Sequence, residues 1–174
     1  PGGEGSAPLA PHNAAVGVTS NPSIFEHAPA FLAAYDEQLR ELLPSELDLK
    51  DLFLELACDD VAAACDLLRP VWERTGRQDG YVSIEVDPRI SADTAKTLAE
   101  ARALWWLVDR PNLYIKIPAT VEGLPAITAA LAEGISGNIT GIFALARDYA
   151  GIEAVLVGRE AAHDAHVALA GTAP

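Results

Sequence analysis

The sequence holds no methionine and only two cysteines among its 174 residues. It is also short of positive charge: 12 Lys and Arg stand against 25 Asp and Glu, for a net charge of −13, and no basic cluster is present. That balance speaks against nucleic acid or an anionic membrane as a partner. It leaves room for a phosphorylated small molecule, because one arginine or one helix N-terminus can hold a single phosphate. No apolar run approaches the ~20 residues of a membrane-spanning helix, and no basic, apolar leader of the secretory type is recognisable. Cys58 and Cys65 lie on one face of a helical pattern, about two turns apart and too far for a disulfide. Buried, reduced thiols in a cytoplasmic protein are therefore expected. The histidines lack metal-ligand spacing, His163 and His166 included, and these two are expected on the surface. No metal site is anticipated from these residues. The absent methionine fits either removal of an initiator before Pro1 or excision from a longer chain.

Half of the residues are hydrophobic, and the length suffices for one domain with a substantial core. Residues 1–15 are rich in Gly, Pro, Ala and Ser without apolar period, and read as a flexible lead-in to a domain over 16–174. A short strand over 16–19 runs into Ser20-Asn21-Pro22-Ser23, where Asn-Pro signals a turn and Ser23 can cap a helix over 24–43. Residues 48–74 read as helix in two pieces. Val61, Ala64, Cys65, Leu68 and Trp72 form its apolar face, and Pro70 is the expected break or kink. A strand over 81–86 follows. Ser91 is read as the cap of a helix with Ala95, Leu98, Ala101, Leu104, Trp105 and Val108 as its core stripe. Pro111-Asn112 closes it. A strand over 113–117, a helix over 120–133, a Gly-interrupted strand over 137–142 and one or two helices over 143–170 complete the pattern.

Such alternation predicts β-α-β units and a parallel sheet. Right-handed crossovers set the helices on one side and bring the strand C-termini together. Asn21, Glu85, Lys116, Asn138 and Thr140 all fall at or after strand ends. In a β/α barrel that end carries the active site.

Lys116 is the most informative of these. It lies inside Leu113-Tyr114-Ile115-Lys116-Ile117-Pro118, where alternation puts Tyr114, Lys116 and Pro118 on one face and Ile115 and Ile117 on the other. Desolvation disfavours a charged amine, and a neutral amine adds to carbonyls to give a Schiff base. A lysine whose head snorkels to water explains the same stretch. Glu85 is either a solvated strand-end carboxylate or a functional one, a charge being unusual inside Val82-Ser83-Ile84-Glu85-Val86. Asn21 can simply build its turn, and Asn138 and Thr140 can satisfy loose backbone groups at a strand end.

Four motifs stand in order: Gly17-Val18-Thr19-Ser20-Asn21-Pro22-Ser23-Ile24-Phe25, Val82-Ser83-Ile84-Glu85-Val86-Asp87-Pro88, Ile115-Lys116-Ile117-Pro118-Ala119-Thr120, and Gly137-Asn138-Ile139-Thr140-Gly141-Ile142-Phe143. In that order and spacing they resemble the transaldolase family over residues 16–170. Arg69-Pro70-Val71 and Arg110-Pro111-Asn112 resemble its bacterial form. The resemblance implies a cytoplasmic transferase with a (β/α)8 TIM barrel, acting without cofactor in the pentose phosphate pathway of carbohydrate metabolism. It would move a dihydroxyacetone unit from a ketose phosphate, sedoheptulose 7-phosphate or fructose 6-phosphate, to an aldose phosphate such as glyceraldehyde 3-phosphate. Lys116 would be the Schiff-base nucleophile. Glu85 and Thr140 would position and activate a catalytic water. Asn21 and Asn138 would bind the hydroxyls of the three-carbon unit.

The chain also departs from that pattern. The family has a preceding strand with an aspartate that takes the proton of the C4 hydroxyl. Residues 2–15 offer only Glu4 in a Gly-rich context, and the role is not carried over to it. Gly141 and Ala144 replace a larger aliphatic residue and a serine. The later strands with the phosphate-binding Arg and Ser residues have no counterpart, and Arg147 and Arg159 fall in helices. The expectation is therefore an α/β chain forming a partial barrel, with first and last strands missing. Its open sheet edges would invite self-association. The alternative is a catalytically inert β/α fragment acting at most as an assembly or binding module.

Overall fold

The computed structural model describes residues 16–20, 35–42, 48–142 and 144–167. The lead-in over 1–15, Asn21 and most of the expected 24–43 helix lie outside the described residues. Four strands form one sheet: β1 (Gly17–Thr19), β2 (Tyr81–Glu85), β3 (Leu113–Pro118) and β4 (Gly137–Thr140). They neighbour one another in chain order, and all three pairings are parallel. A doubly wound sheet reverses its strand order partway. Every crossover here steps to the next strand in the same direction, which is the winding of a β/α barrel. The architecture is thus α/β and part of such a barrel.

Among the described residues, two helices, α1 (Asp36–Leu42) and α2 (Leu49–Arg74), come between β1 and β2. Then α3 (Thr94–Val108) joins β2 to β3, α4 (Gly123–Ala132) joins β3 to β4, and α5 (Leu145–Asp164) follows β4. Asp48 starts α2 by accepting from the Asp51 amide at 2.8 Å. Contrary to the expected two pieces, α2 is one continuous helix through Pro70. Proline removes a single intrahelical donor, and Pro70 lies on the exposed side, where the freed carbonyl can meet water. The start of α3 also differs. Pro88–Ile90 form a 3-10 turn that ends at Ser91, and the cap is Asp93, which accepts from the Lys96 amide at 3.0 Å. Ala95 consequently falls on the exposed side, and Thr97 takes the buried position, donating to the Ile90 carbonyl at 3.0 Å.

The core lies between one sheet face and the helices. Val82, Ile84, Leu113, Ile115 and Ile117 supply the strand side, and Cys58, Val61, Cys65, Ala101, Leu104, Val108, Ile127 and Ala130 supply the helix side. Each fully buried aliphatic side chain stabilises the fold by about 1.5–3 kcal/mol. Asn112, read as a helix stop, is fully buried and ties two elements together, its Nδ2 donating to the Cys65 and Gly80 carbonyls at 2.8 Å each. The α4 and α5 helices approach closely at Gly158, where a Cβ would lie 2.7 Å from the Thr128 carbonyl oxygen. The opposite side of α5 exposes Leu145, Tyr149, Ile152 and Leu156 at helical spacing. No described helix is long and apolar enough to cross a membrane.

Candidate active site

The second face of the sheet is built from the other half of the same alternation. Register pairs Thr19 with Ser83 and Ser83 with Tyr114, then Glu85 with Lys116 and Lys116 with Asn138, and finally Pro118 with Thr140. Side chains opposite each other in register share a face. Glu85, Lys116 and Asn138 therefore form a row across three strands, at the last residue of β2, with Thr140 one step beyond Asn138 on its face.

Within the row, Lys116 Nζ donates to Glu85 Oε2 at 3.1 Å. Both side chains are largely buried, 16 % and 11 % exposed, so the pair is only weakly screened by water. Asn138 Nδ2 donates to Ser83 Oγ at 3.2 Å. Ser83 was not singled out from sequence, although Tyr81-Val82-Ser83-Ile84-Glu85 puts it on the face of Glu85. It is buried, and its carbonyl accepts from Ser20 Oγ at 3.0 Å and from the Ser20 amide at 2.9 Å. The turn residue before Asn21 is thereby tied to the row. Asn21 itself lies outside the described residues. Thr140 is half-buried, and its carbonyl accepts from the Ala119 amide at 2.8 Å.

Local structure explains why these positions hold still. Lys116 contributes its own carbonyl to β2 by accepting from the Val86 amide at 3.1 Å. On the other side, Ile115 and Ala119 donate to the Ser136 and Thr140 carbonyls, so Pro118 ends β3 at a residue that this ladder does not ask for a donor. Gly123 opens α4 directly behind, where a Cβ would sit 2.1 Å from the Pro118 carbonyl oxygen. Beyond β2, the Asp87 amide donates to Glu100 Oε1 at 2.6 Å, and Lys50 Nζ lies 2.7 Å from Glu100 Oε2. Arg89 grips the Asp87 carboxylate and, through that hydrogen bond first, holds its pKa below the ordinary range. The turn two residues after Glu85 is thus latched to α2 and α3. Nothing in the sequence spacing marks Glu100 for this task.

At the other end of the same face, Tyr81 and Tyr114 stack with ring centroids 4.2 Å apart, and burial is the main cause that pushes the Tyr114 hydroxyl up to about 12. His163 and His166 are exposed. Cys58 and Cys65 are buried and free, and burial above all pushes both thiols up to about 12. Among the described residues, no group of three or more His, Cys, Asp or Glu comes together as metal ligands would.

Fold and row together define a β/α-barrel chain that presents a paired amine, a carboxylate and an amide on its open face. This chain belongs to the transaldolase/fructose-6-phosphate aldolase family, whose model matches residues 7–169. It is 59% identical over 150 residues to a transaldolase of Thermobifida fusca, a match covering 86% of this chain and 41% of the relative. It is 53% identical over 159 residues to a transaldolase of Frankia alni, covering 91% of this chain and 43% of the relative. A transaldolase of Acidothermus cellulolyticus is 56% identical over 150 residues, covering 86% and 40%. The chain spans about two fifths of the length of these curated relatives.

Proposed function

We propose that this chain carries the imine-forming centre of a transaldolase, which transfers a dihydroxyacetone unit from a ketose phosphate to an aldose phosphate in the cytoplasm. The observation that supports this most is the Glu85, Lys116 and Asn138 row at the C-terminal end of the sheet. Lys116 Nζ adds to the C2 carbonyl of the donor and forms a carbinolamine. Glu85, hydrogen-bonded to that nitrogen, accepts the ammonium proton and returns one as the carbinolamine loses water. The resulting iminium is the electron sink for the C3–C4 bond: as a base takes the C4 hydroxyl proton, the bond breaks, an aldehyde leaves and an enamine remains on Lys116. Thr140 orients the water that enters and leaves. Asn138, braced by Ser83, and Asn21 bind the hydroxyls of the three-carbon unit, so that it is retained until the acceptor aldehyde arrives. Sedoheptulose 7-phosphate and fructose 6-phosphate are the proposed donors.

C3–C4 cleavage also needs a base for the C4 hydroxyl. Among the described residues, Glu85 is the carboxylate bonded to Lys116, and it is already engaged in imine formation. An inert β/α piece that at most assembles through its sheet edges is a second reading, favoured because no carboxylate among the described residues is assigned to the C4 hydroxyl. The two are separated by borohydride reduction in the presence of fructose 6-phosphate or dihydroxyacetone, followed by intact mass. An adduct in the folded chain that disappears in Lys116→Ala is the expected result. A folded chain that forms no adduct would leave the inert piece.

A further inference from the structure

We propose that the cleft at the N-terminal end of β2, remote from Lys116, is an oxyanion site that takes a phosphate group. The cleft is open, has a volume of about 490 Å³ and is lined by Arg69, Trp72, Glu73, Gly76, Arg77 and Pro111. Both Arg-Pro motifs noted in the sequence contribute to it, which gives them a place that the active-site row does not. It adjoins the first residue of β2, whereas Glu85 is the last. Those four strand steps separate the two sites by about 13 Å along the strand.

Its chemistry comes from two guanidinium groups held on one indole. The Cζ atoms of Arg69 and Arg77 lie 5.0 and 4.9 Å from the centroid of the Trp72 ring. Trp72 is itself fixed, being 5 % exposed and meeting Tyr81 edge to face at 6.5 Å. A stacked guanidinium keeps its planar fork of N–H donors free at the edge, which suits a phosphate bidentately. Arg69 spends its Nε on Glu73 Oε1 at 2.9 Å. The side chain of Arg77 has no hydrogen-bond acceptor among the described residues. Trp72 also carries a buried Nε1–H without a partner there. With Glu73 counted against the two arginines, the lining keeps one positive charge in a chain whose net charge is −13. A single arginine would suffice to complement the C-terminal dipole of α2. Two on one ring, the second without an acceptor among the described residues, are preorganised donors in search of an acceptor.

The test is titration of the folded chain with inorganic phosphate, and separately with glycerol 3-phosphate, against chloride at matched ionic strength. The readout is the indole N–H resonance of Trp72, with Trp105 and Trp106 as internal references. A saturable shift confined to Trp72 is expected, weakened at least about tenfold in Arg77→Gln and in Arg69→Gln, as loss of a charge-assisted bidentate contact requires. Lys116→Ala should leave it unchanged, which separates this site from the proposed imine centre. Tighter binding of glycerol 3-phosphate than of phosphate would assign the site to a phosphate monoester, and the reverse to free phosphate. A linear shift, an equal shift with chloride, or full binding in either folded arginine variant would overturn the proposal.

Discussion

The two faces of the sheet are made from alternate residues of the same short strands, yet they differ in almost every property. The helix-covered face holds Val82, Ile84, Leu113, Ile115 and Ile117, all nearly inaccessible to solvent. The open face holds Ser83, Glu85, Tyr114, Lys116, Asn138 and Thr140, half-buried for the most part, with Lys116 hydrogen-bonded to Glu85 and Asn138 to Ser83. The first face determines that the strands pair in this register, and the second inherits its geometry from that register. A one-residue slip would send Lys116 into the helices and Ile115 into the open. Stability and chemistry are thus coupled through register while residing on different side chains.

Neighbouring substitutions break this comparison most sharply. Ile115→Ala removes a fully buried side chain and is expected to lower stability by about 2–5 kcal/mol, measured by urea unfolding. Lys116→Met, one residue away, is expected to cost about 1–3 kcal/mol, because it strands the Glu85 carboxylate on a face that water can partly reach. Adding Glu85→Gln to Lys116→Met should recover at least half of that loss, and a double-mutant cycle that shows no recovery would contradict the pairing. Glu100→Gln keeps an acceptor for the Asp87 amide and gives up the charge pair with half-exposed Lys50. It should therefore cost only about 0.5–1 kcal/mol.

Near neutral pH, titration changes stability least. The Cys58 and Cys65 thiols, with an ordinary value of 9.0, are pushed up to about 12, and the Tyr114 hydroxyl from 10.0 to about 12. The unfolded chain releases these protons first, so these three groups leave stability unchanged below about pH 9 and lower it as pH rises from there towards 12. Asp87 acts in the opposite direction. Its lowered pKa adds stability above its ordinary value of 3.8 that is lost as pH falls below it. At pH 8 both thiols should resist a disulfide exchange reagent until the chain is unfolded.

Much of this arrangement was legible because period two is a strong signal. The strand over 113–117 was readable from Leu113, Ile115 and Ile117, and its lysine was already assigned to the face of Tyr114 and Pro118. The order of β and α segments carried the parallel, singly wound sheet. What escaped depends on contacts between distant segments. Glu100 meets Lys50 and the Asp87 amide only after α2, α3 and β2 have packed. Asn112 looked like punctuation because its partners, the Cys65 and Gly80 carbonyls, lie far away in sequence. Pro70 was overvalued as a break, since the helix around it is held by the packing of Val61, Cys65 and Trp72. The Ser91 reading failed because Asp93, two residues on, is an equally good cap and completes its first turn on Lys96.

The central claim is that the open face, and not the surface at large, carries the reactive amine. The chain offers an internal control, because it has only three lysines, Lys50, Lys96 and Lys116. Lys50 and Lys96 are ion-paired near the surface, with Glu100 at 2.7 Å and Asp93 at 3.4 Å. The most direct measurement is peptide mapping of the borohydride-reduced dihydroxyacetone adduct in the folded chain. The account predicts that the label sits on Lys116 despite its burial. Label distributed according to exposure, on Lys96 and Lys50 before Lys116, would contradict it.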